Sequence, residues 1–249
     1  MTTYNGKTAE CVVHVTPAPK LVELAAADGR TSFGVKETAQ LEWKIDGRDG
    51  SVKFATSNKR IATVSAAGVV SFKKTGKVTI KATAYNGVYA TLVLSCKAAP
   101  KSVSLGATRA TLGLGETADL TATLSKNSAG SYSFTSSNPA VISVTGTIAT
   151  ALQPGSAVLT VTAYNGKKAS KTITVCPAPE SVAFDPAEIT LGEGETGKLN
   201  PVLNAGSAGA CSYVANNDHV SVDADGTLTA GADTPAGAPA SGLQGLAAY

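Results

Sequence analysis

The chain has 249 residues, of which 43% are hydrophobic and only 16% are charged, and its formal net charge is +3. This length accommodates two or three small domains. The positive charge is scattered, with no basic run that would follow nucleic-acid phosphates, and no stretch of about 18 apolar residues indicates a membrane-spanning helix. Aromatic residues make up 5%, so the cores must be built from Val, Leu, Ile and Ala.

Met1 is followed by the run TTYNGKTAECVVHV (2–15), in which an Asn-Gly pair precedes an alternating segment. We interpret residues 1–16 as the terminal hairpin of a preceding repeat that is missing. No basic segment followed by an apolar one, as in a signal peptide, follows Met1.

Residues 17–97 are predicted to form an immunoglobulin-like sandwich of seven strands. In ETAQLEWKI (37–45) and KVTIKATAY (77–85), apolar residues alternate with polar ones, as in strands with one buried face. Asn-Gly follows the second run and favours a type I′ turn, with positive φ at both central residues. Turn signals every 8–12 residues favour a sandwich.

Four sequence markers recur at intervals of 79 to 81 residues, which predicts further domains at 98–176 and 177–230. The domain at 177–230 lacks its terminal hairpin, because residues 231–249 are a tail rich in Ala, Gly and Pro with no alternation. The markers are a tyrosine in TTYNG or TAYNG, a proline, a glutamate and an asparagine: Tyr4, Tyr85 and Tyr164; Pro19, Pro100 and Pro179; Glu37, Glu116 and Glu195; Asn58, Asn138 and Asn217.

The run ATSNKRIATVSAAGVVSFKKTGKVTIKATAYNG (55–87) resembles the bacterial immunoglobulin-like group 2 domain, with its Ser-Asn, Gly-Val-Val and Thr-Ala segments. The second repeat is similar through SSNPAVISVTGTIATALQPGSAVLTVTAYNG, and the third through NNDHVSVDADGTLTAG. The resemblance implies tandem immunoglobulin-like β-sandwiches, as in bacterial surface proteins, intimin- and invasin-like adhesins and phage virion proteins. It implies no catalytic residue.

The sequence offers no catalytic, cofactor-binding or metal-binding site. His14 and His219 are expected to be solvated, no serine stands in a Gly-x-Ser-x-Gly motif, and no nucleophile, base and orienting group occur together. Asp223, Asp225 and Gly226 resemble the start of a calcium loop but lack its distal glutamate, so a turn is expected.

The recurring glutamates Glu37, Glu116 and Glu195 each follow a Gly-rich bend, which favours a hydrogen bond to local backbone over a ligand role. The single tryptophan, Trp43, is expected to pack in a core or between domains, with sugar stacking as the alternative.

The disulfide state of the four cysteines is left open. Cys176 and Cys211 lie close to the same repeat, so a bond between them is one interpretation. The other is that all four are free thiols acting as small apolar residues: Cys11, Cys96, Cys176 and Cys211.

The function expected from these observations is non-enzymatic: a structural or adhesive stalk segment of a bacterial surface protein, located outside the cell. The alternatives are a phage virion protein of the head or tail, which the lack of a signal peptide favours, and accessory carbohydrate-binding modules of a larger enzyme. The expected partners are a protein or glycan at the cell surface and, through residues 1–16, a second copy joined head to tail. That hairpin would complete the third repeat. The favoured explanation of both partial ends is cropping, or a truncated reading frame, within a longer array.

Overall fold

The computed structural model describes residues 4–8, 17–47, 49–216 and 218–231, and every regular element in those ranges is a β-strand. The chain divides into two compact units, residues 1–100 with 126–131, and residues 101–125 with 132–249. The prediction of an all-β chain of tandem immunoglobulin-like sandwiches is confirmed. Most of the segment 1–16, with Cys11 and His14, and the tail 232–249 lie outside the described residues.

The first unit contains two four-stranded sheets, in the orders β1-β3-β6-β5 and β2-β8-β7-β4. Their facing sides bury a core that includes Phe33, Leu41, Phe72, Ile80 and Leu94. The strands are β1 (Val22–Ala26), β2 (Ser32–Gly34), β3 (Thr38–Ile45), β4 (Lys53–Thr56), β5 (Ala62–Val64), β6 (Val69–Phe72), β7 (Gly76–Thr83) and β8 (Tyr89–Lys97).

The predicted count of seven strands is wrong by one, because the first strand is divided between the two sheets. β1 pairs with β3 in antiparallel fashion, and after a turn β2 pairs in parallel with β8 in the other sheet. Phe33 in β2 lies opposite Cys96, and both are buried. The divided strand therefore forms one edge of each sheet. Its second part, β2, ends at Gly34, where the next turn begins.

The second unit begins with a sandwich of the same design, in the sheet orders β13-β14-β11-β9 and β10-β16-β15-β12. The alternation predicted for its central strand is confirmed, since Ala157, Leu159, Val161 and Ala163 are all buried. The strands are β9 (Val103–Ala107), β10 (Thr111–Gly113), β11 (Thr117–Leu124), β12 (Tyr132–Ser136), β13 (Ile142–Thr145), β14 (Ile148–Ala151), β15 (Gly155–Ala163) and β16 (Lys168–Cys176).

The hairpin turn at TAYNG is not of type I′. Gly87 has a φ of 89°, as expected, but Asn86 is not among the residues with positive φ. The Gly87 amide donates to the Ala84 carbonyl, and the Ala84 amide donates to the Val88 carbonyl. The loop thus has three residues, with an ordinary turn followed by a glycine in the left-handed region, which suits strands joined through a glycine bulge.

The third repeat, also in the second unit, has smaller sheets: β17 with β19, and β18-β21-β20. Its strands are β17 (Val182–Phe184), β18 (Thr196–Lys198), β19 (Pro201–Leu203), β20 (Val220–Val222) and β21 (Thr227–Ala230). Within the described residues, no strand forms over 189–192 or 211–215. Their equivalents in the first repeat are β2 and β4, which pair with the terminal hairpin of β7 and β8. Among the described residues, these two segments therefore have no strand with which to pair.

Candidate functional site

Each recurring glutamate closes a tight turn on its own backbone. In the first repeat the Glu37 amide donates to the Gly34 carbonyl at 3.1 Å, and the Gly34 amide donates to Glu37 Oε2 at 2.7 Å. Lys36, before the glutamate, has a φ of 71°, the left-handed conformation that the third position of a type II turn requires. The predicted hydrogen bond from glutamate to local backbone is confirmed.

The same turn recurs in the second and third repeats. The Gly113 amide donates to Glu116 Oε2 at 2.6 Å, and the Gly192 amide donates to Glu195 Oε2 at 2.7 Å. Both of these turns place a glycine at the left-handed position, with φ values of 85° and 75°. One carboxylate oxygen is thus used locally in all three repeats, and the other oxygen is available for a second contact.

In the first unit, this second contact is made by a distant loop. The Ser131 amide donates to Glu37 Oε1 at 2.8 Å, and the Ala129 amide donates to the Ala98 carbonyl at 3.2 Å. The loop, residues 126–131, connects β11 and β12 of the next repeat. Glu37 is only 4% exposed, and Arg30 Nη2 lies 2.8 Å from Oε1. The loop backbone therefore docks on a buried, charge-compensated carboxylate.

The second unit repeats this arrangement between the second and third repeats. The Ala210 amide donates to Glu116 Oε1 at 2.6 Å, and the Ala208 amide donates to the Pro177 carbonyl at 3.2 Å. Arg109 forms an ion pair with Glu116. Donor and carboxylate are 94 residues apart here and in the first unit. We call this contact, a turn glutamate receiving an amide from a loop of the next repeat, the carboxylate joint.

The loop approaches the turn so closely that the first residue of the turn must be glycine. A Cβ on Gly113 would lie 2.3 Å from the Ala208 carbonyl oxygen and 3.2 Å from the Gly209 Cα, both backbone atoms. In the third repeat, a Cβ on Gly192 would meet only the side chain of its own Glu195. Gly113 is buried, whereas Gly192 is exposed. The glycine thus serves the joint as well as the turn.

Charge stabilises the joint of the first unit. Burial acts to lower the pKa of Arg30, but hydrogen bonds to Glu37 and Asp28 outweigh it and raise that pKa. Burial likewise acts to raise the pKa of Asp28, and the Arg30 backbone and side chain bring it below its ordinary value. Burial, followed by the nearby Glu37, raises the pKa of the Cys96 thiol. Arg30 and Asp28 therefore carry their full charges at neutral pH, and Cys96 is a poor nucleophile.

The third repeat keeps the turn but lacks the rest of the joint. Glu195 is exposed, and the position equivalent to Arg30 and Arg109 is occupied by Glu188. The Gly192 amide is the partner of Glu195 Oε2, and Oε1 has no hydrogen-bond partner among the described residues.

The other predicted candidates are structural. Asp223 and Asp225 accept hydrogen bonds from the Thr227 amide, and Lys198 lies 2.7 Å from Asp225. Contacts with Asp223, Lys198 and Thr227 lower the pKa of Asp225. The predicted turn is confirmed, and no three potential metal-ligating side chains come together in the described part of the chain. His219 is half-buried, and its carbonyl accepts the Gly231 amide.

Trp43 packs within its own repeat, as expected. Its ring meets Phe54 edge to face at 5.0 Å, and its indole N–H donates to the Gly50 carbonyl at 2.6 Å. Lys44 pairs with Asp49 at 2.6 Å beside it. These contacts fix the loop between β3 and β4, which is the counterpart of loop 126–131.

The cysteines within the described residues are free thiols: Cys96, Cys176 and Cys211. The bond between Cys176 and Cys211 that the sequence left open is therefore absent. Across the described ranges, no helix has the length and hydropathy needed to cross a membrane.

Sequence reasoning missed Arg30, Arg109 and the two donor loops. The arginines could have been found, because each precedes its glutamate by seven residues. The loop contacts leave no such local signal.

Residues 34–93 match the family model of the bacterial Ig-like domain (group 2). This segment is a bacterial Ig-like domain of group 2. The group 2 match begins at Gly34, the first residue of the glutamate turn, and ends within β8. The joint glutamate of the first repeat therefore lies inside the group 2 domain, and the loop that docks on it lies outside.

The chain is similar to several solved structures. These include a mutant of EHEC O157:H7 intimin (18% identity, TM-score 0.26, 36% of this chain and 51% of that one) and domains 4 and 5 of the S-layer protein SbsC (14%, 0.29, 64% and 99%). An intimin–Tir90 complex is a third (19%, 0.26, 35% and 50%). The matches span about half of the intimin chains. No curated protein matches this chain by sequence.

Proposed function

We propose that this chain is a non-enzymatic structural segment of a bacterial surface protein, in which Ig-like repeats form a stalk outside the cell. The observation that carries the proposal is the carboxylate joint, which occurs twice with the same 94-residue separation. In each joint, backbone hydrogen bonds join a loop of one repeat to the repeat before it, and an arginine of that earlier repeat pairs with the carboxylate. Contacts of this kind between neighbouring repeats agree with a stalk of tandem domains.

The group 2 match over residues 34–93 supports the surface location. The chemistry of the site agrees with a non-enzymatic role, since both joint carboxylates are occupied by backbone amides and an arginine. We propose that the protein to which the stalk belongs binds a protein or glycan at the cell surface.

Antibody labelling tests the location. Antibodies raised against residues 17–176 should bind intact cells that produce the protein, and brief protease treatment of those cells should remove the signal. Labelling confined to purified phage particles would support the virion alternative and contradict the stalk. Labelling only after cell lysis would contradict both.

We also propose head-to-tail self-association in which residues 1–16 of one copy add a strand to the third repeat of another. The segments 189–192 and 211–215, which form no strand in the described part of the chain, support this, because β2 and β4 occupy the equivalent positions and pair with a terminal hairpin. Exposed sheet edges of this kind readily accept a strand. Deletion of residues 1–16 should weaken association in analytical ultracentrifugation; unchanged association would exclude this donor.

A further inference from the structure

The carboxylate joint has a donor amide and an acceptor carboxylate, and within the described residues one donor and one acceptor are left without a partner. The amides of Ser131 and Ala210 are used in the two joints described above. Aligning β4 with β12 places Ser51 at the position of Ser131, three residues before Phe54 and Phe134 respectively. In all three loops a glycine precedes the donor: Gly50, Gly130 and Gly209.

The unused donor is presented in a fixed loop. Ser51 and Gly50 are exposed, and within the described residues the Ser51 amide makes no hydrogen bond. The Trp43 indole holds the Gly50 carbonyl at 2.6 Å. The loop is therefore held in place before any partner arrives, which reduces the entropy lost on binding.

The unused acceptor is also held in place. Glu195 Oε2 is fixed by the Gly192 amide, as in the two complete joints, and Oε1 is exposed without a partner in the described chain. Gly192 has no side chain that would obstruct an approaching backbone. The complete joint at the buried Gly113 depends on the same lack of a side chain.

We propose that Glu195 Oε1 of one copy accepts the Ser51 amide of a second copy, forming a third carboxylate joint between molecules. The partner is a second copy of this chain, since its Gly50–Ser51 loop matches the two loops that already dock on such carboxylates. The contact is heterologous, so each molecule has one donor and one acceptor and the copies join head to tail. It requires neither residues 1–16 nor the stalk role.

The third joint should be weaker than the internal two, because Glu188 stands where Arg30 and Arg109 compensate the carboxylate. A charged hydrogen bond of this kind corresponds to about a tenfold or larger change in the dissociation constant.

Sedimentation of the full chain at increasing concentration tests the proposal, with two matched pairs of variants. Ser51→Pro removes the amide proton, whereas Ser51→Ala keeps it. Glu195→Gln removes the charge of the acceptor, whereas Glu193→Gln changes a neighbouring exposed glutamate. We expect about tenfold weaker association for Ser51→Pro and Glu195→Gln, and unchanged association for the two controls.

Amide NMR separates a lost contact from a folding defect in the variants. The Ser51 amide resonance should shift with protein concentration in the unmodified chain and should not shift in Glu195→Gln, while Trp43 fluorescence verifies that the loop is intact. Absence of association up to about 1 mM, or association that Ser51→Pro and Glu195→Gln leave unchanged, would overturn the proposal. The second result would leave the strand donated by residues 1–16 as the route of association.

Discussion

Glu37 and Glu195 occupy the same position of the same turn, and the carbonyl of each accepts an amide from a neighbouring strand, yet the surroundings of their carboxylates differ. Glu37 is 4% exposed, contacts Arg30 and receives the Ser131 amide, whereas the exposed Glu195 carboxylate accepts, among the described residues, the amide of Gly192 alone. The turn is therefore a local structure that its own sequence specifies. The joint is a tertiary structure, which needs an arginine and a loop from elsewhere.

The largest difference between the two positions should appear on truncation to alanine. Glu37→Ala leaves Arg30 without its buried partner and the amides of Gly34 and Ser131 without an acceptor, so we expect a loss of about 3 kcal/mol of unfolding free energy. Glu195→Ala removes one exposed hydrogen bond and should cost less than about 1 kcal/mol.

Trp43 is the only tryptophan and lies in the first repeat, so its fluorescence during urea denaturation reports Glu37→Ala directly. The hydrogen-exchange rate of the Gly192 amide reports the loss of its hydrogen bond in Glu195→Ala. Equal costs at the two sites would contradict the comparison.

The glycine of the turn offers a second contrast. Gly113→Ala should displace the loop at Ala208, because the new Cβ would lie 2.3 Å from a backbone oxygen; a cost of about 2 kcal/mol is expected. Gly192→Ala, the matched control, meets only the movable Glu195 side chain. Hydrogen exchange of the Ala210 amide should accelerate in the first variant alone, and protection retained there would show that the close approach is not needed.

The hairpin glycine tests local structure without any joint. Gly166 has a φ of 81°, and a Cβ added to it would meet no other atom within 4 Å, so Gly166→Val acts through backbone strain and should cost about 1–2 kcal/mol. Gly166→Asn should cost less, because Asn tolerates this conformation. Thermal melting measures both, and equal midpoints for the two variants would contradict the strain argument.

The left-handed residue of the glutamate turn is Lys36 in the first repeat and glycine in the other two. Lys36→Gly should therefore stabilise the first repeat by about 1 kcal/mol, because glycine adopts positive φ without steric cost. Trp43-detected denaturation measures the gain. Lys36→Ala, which removes the charge and keeps the Cβ, is the control and should give no such gain.

The smallest expected effect is that of acid on the first joint. Contacts with Arg30 lower the pKa of Asp28 in the folded state below 3.8, so the stabilisation is present above that pH and is lost as the pH falls through the folded pKa. Between pH 5 and pH 3, the Asp28→Asn variant should lose less stability than the unmodified chain. Parallel losses in the two proteins would show that Asp28 does not contribute.

Much of the fold follows from local patterns. Alternation identified the buried faces of β7 and β15, and the recurring markers gave the repeat. The turn at Asn86 was mispredicted, because Asn-Gly is compatible with more than one hairpin loop and the strand register decides between them. The division of the first strand between two sheets was missed for a related reason, since β2 is a three-residue strand whose pairing with β8 is remote in sequence.

The candidate site likewise has a local part that the sequence predicts and a tertiary part that it does not. Periodicity found Glu37, Glu116 and Glu195, and their local hydrogen bonds followed from the Gly-rich bends. The contacts to Ser131 and Ala210 could not be predicted, because 94 residues separate donor from acceptor and an amide donor places almost no demand on residue type. Ser and Ala serve equally well at that position.

Hydrogen exchange of three equivalent amides in the dilute full chain tests the carboxylate joint most directly. The account predicts that the Ser131 and Ala210 amides are protected, that Glu37→Ala and Glu116→Ala respectively remove this protection, and that the Ser51 amide exchanges rapidly. Exchange of Ser131 and Ala210 as fast as that of Ser51 would contradict the joint in both units.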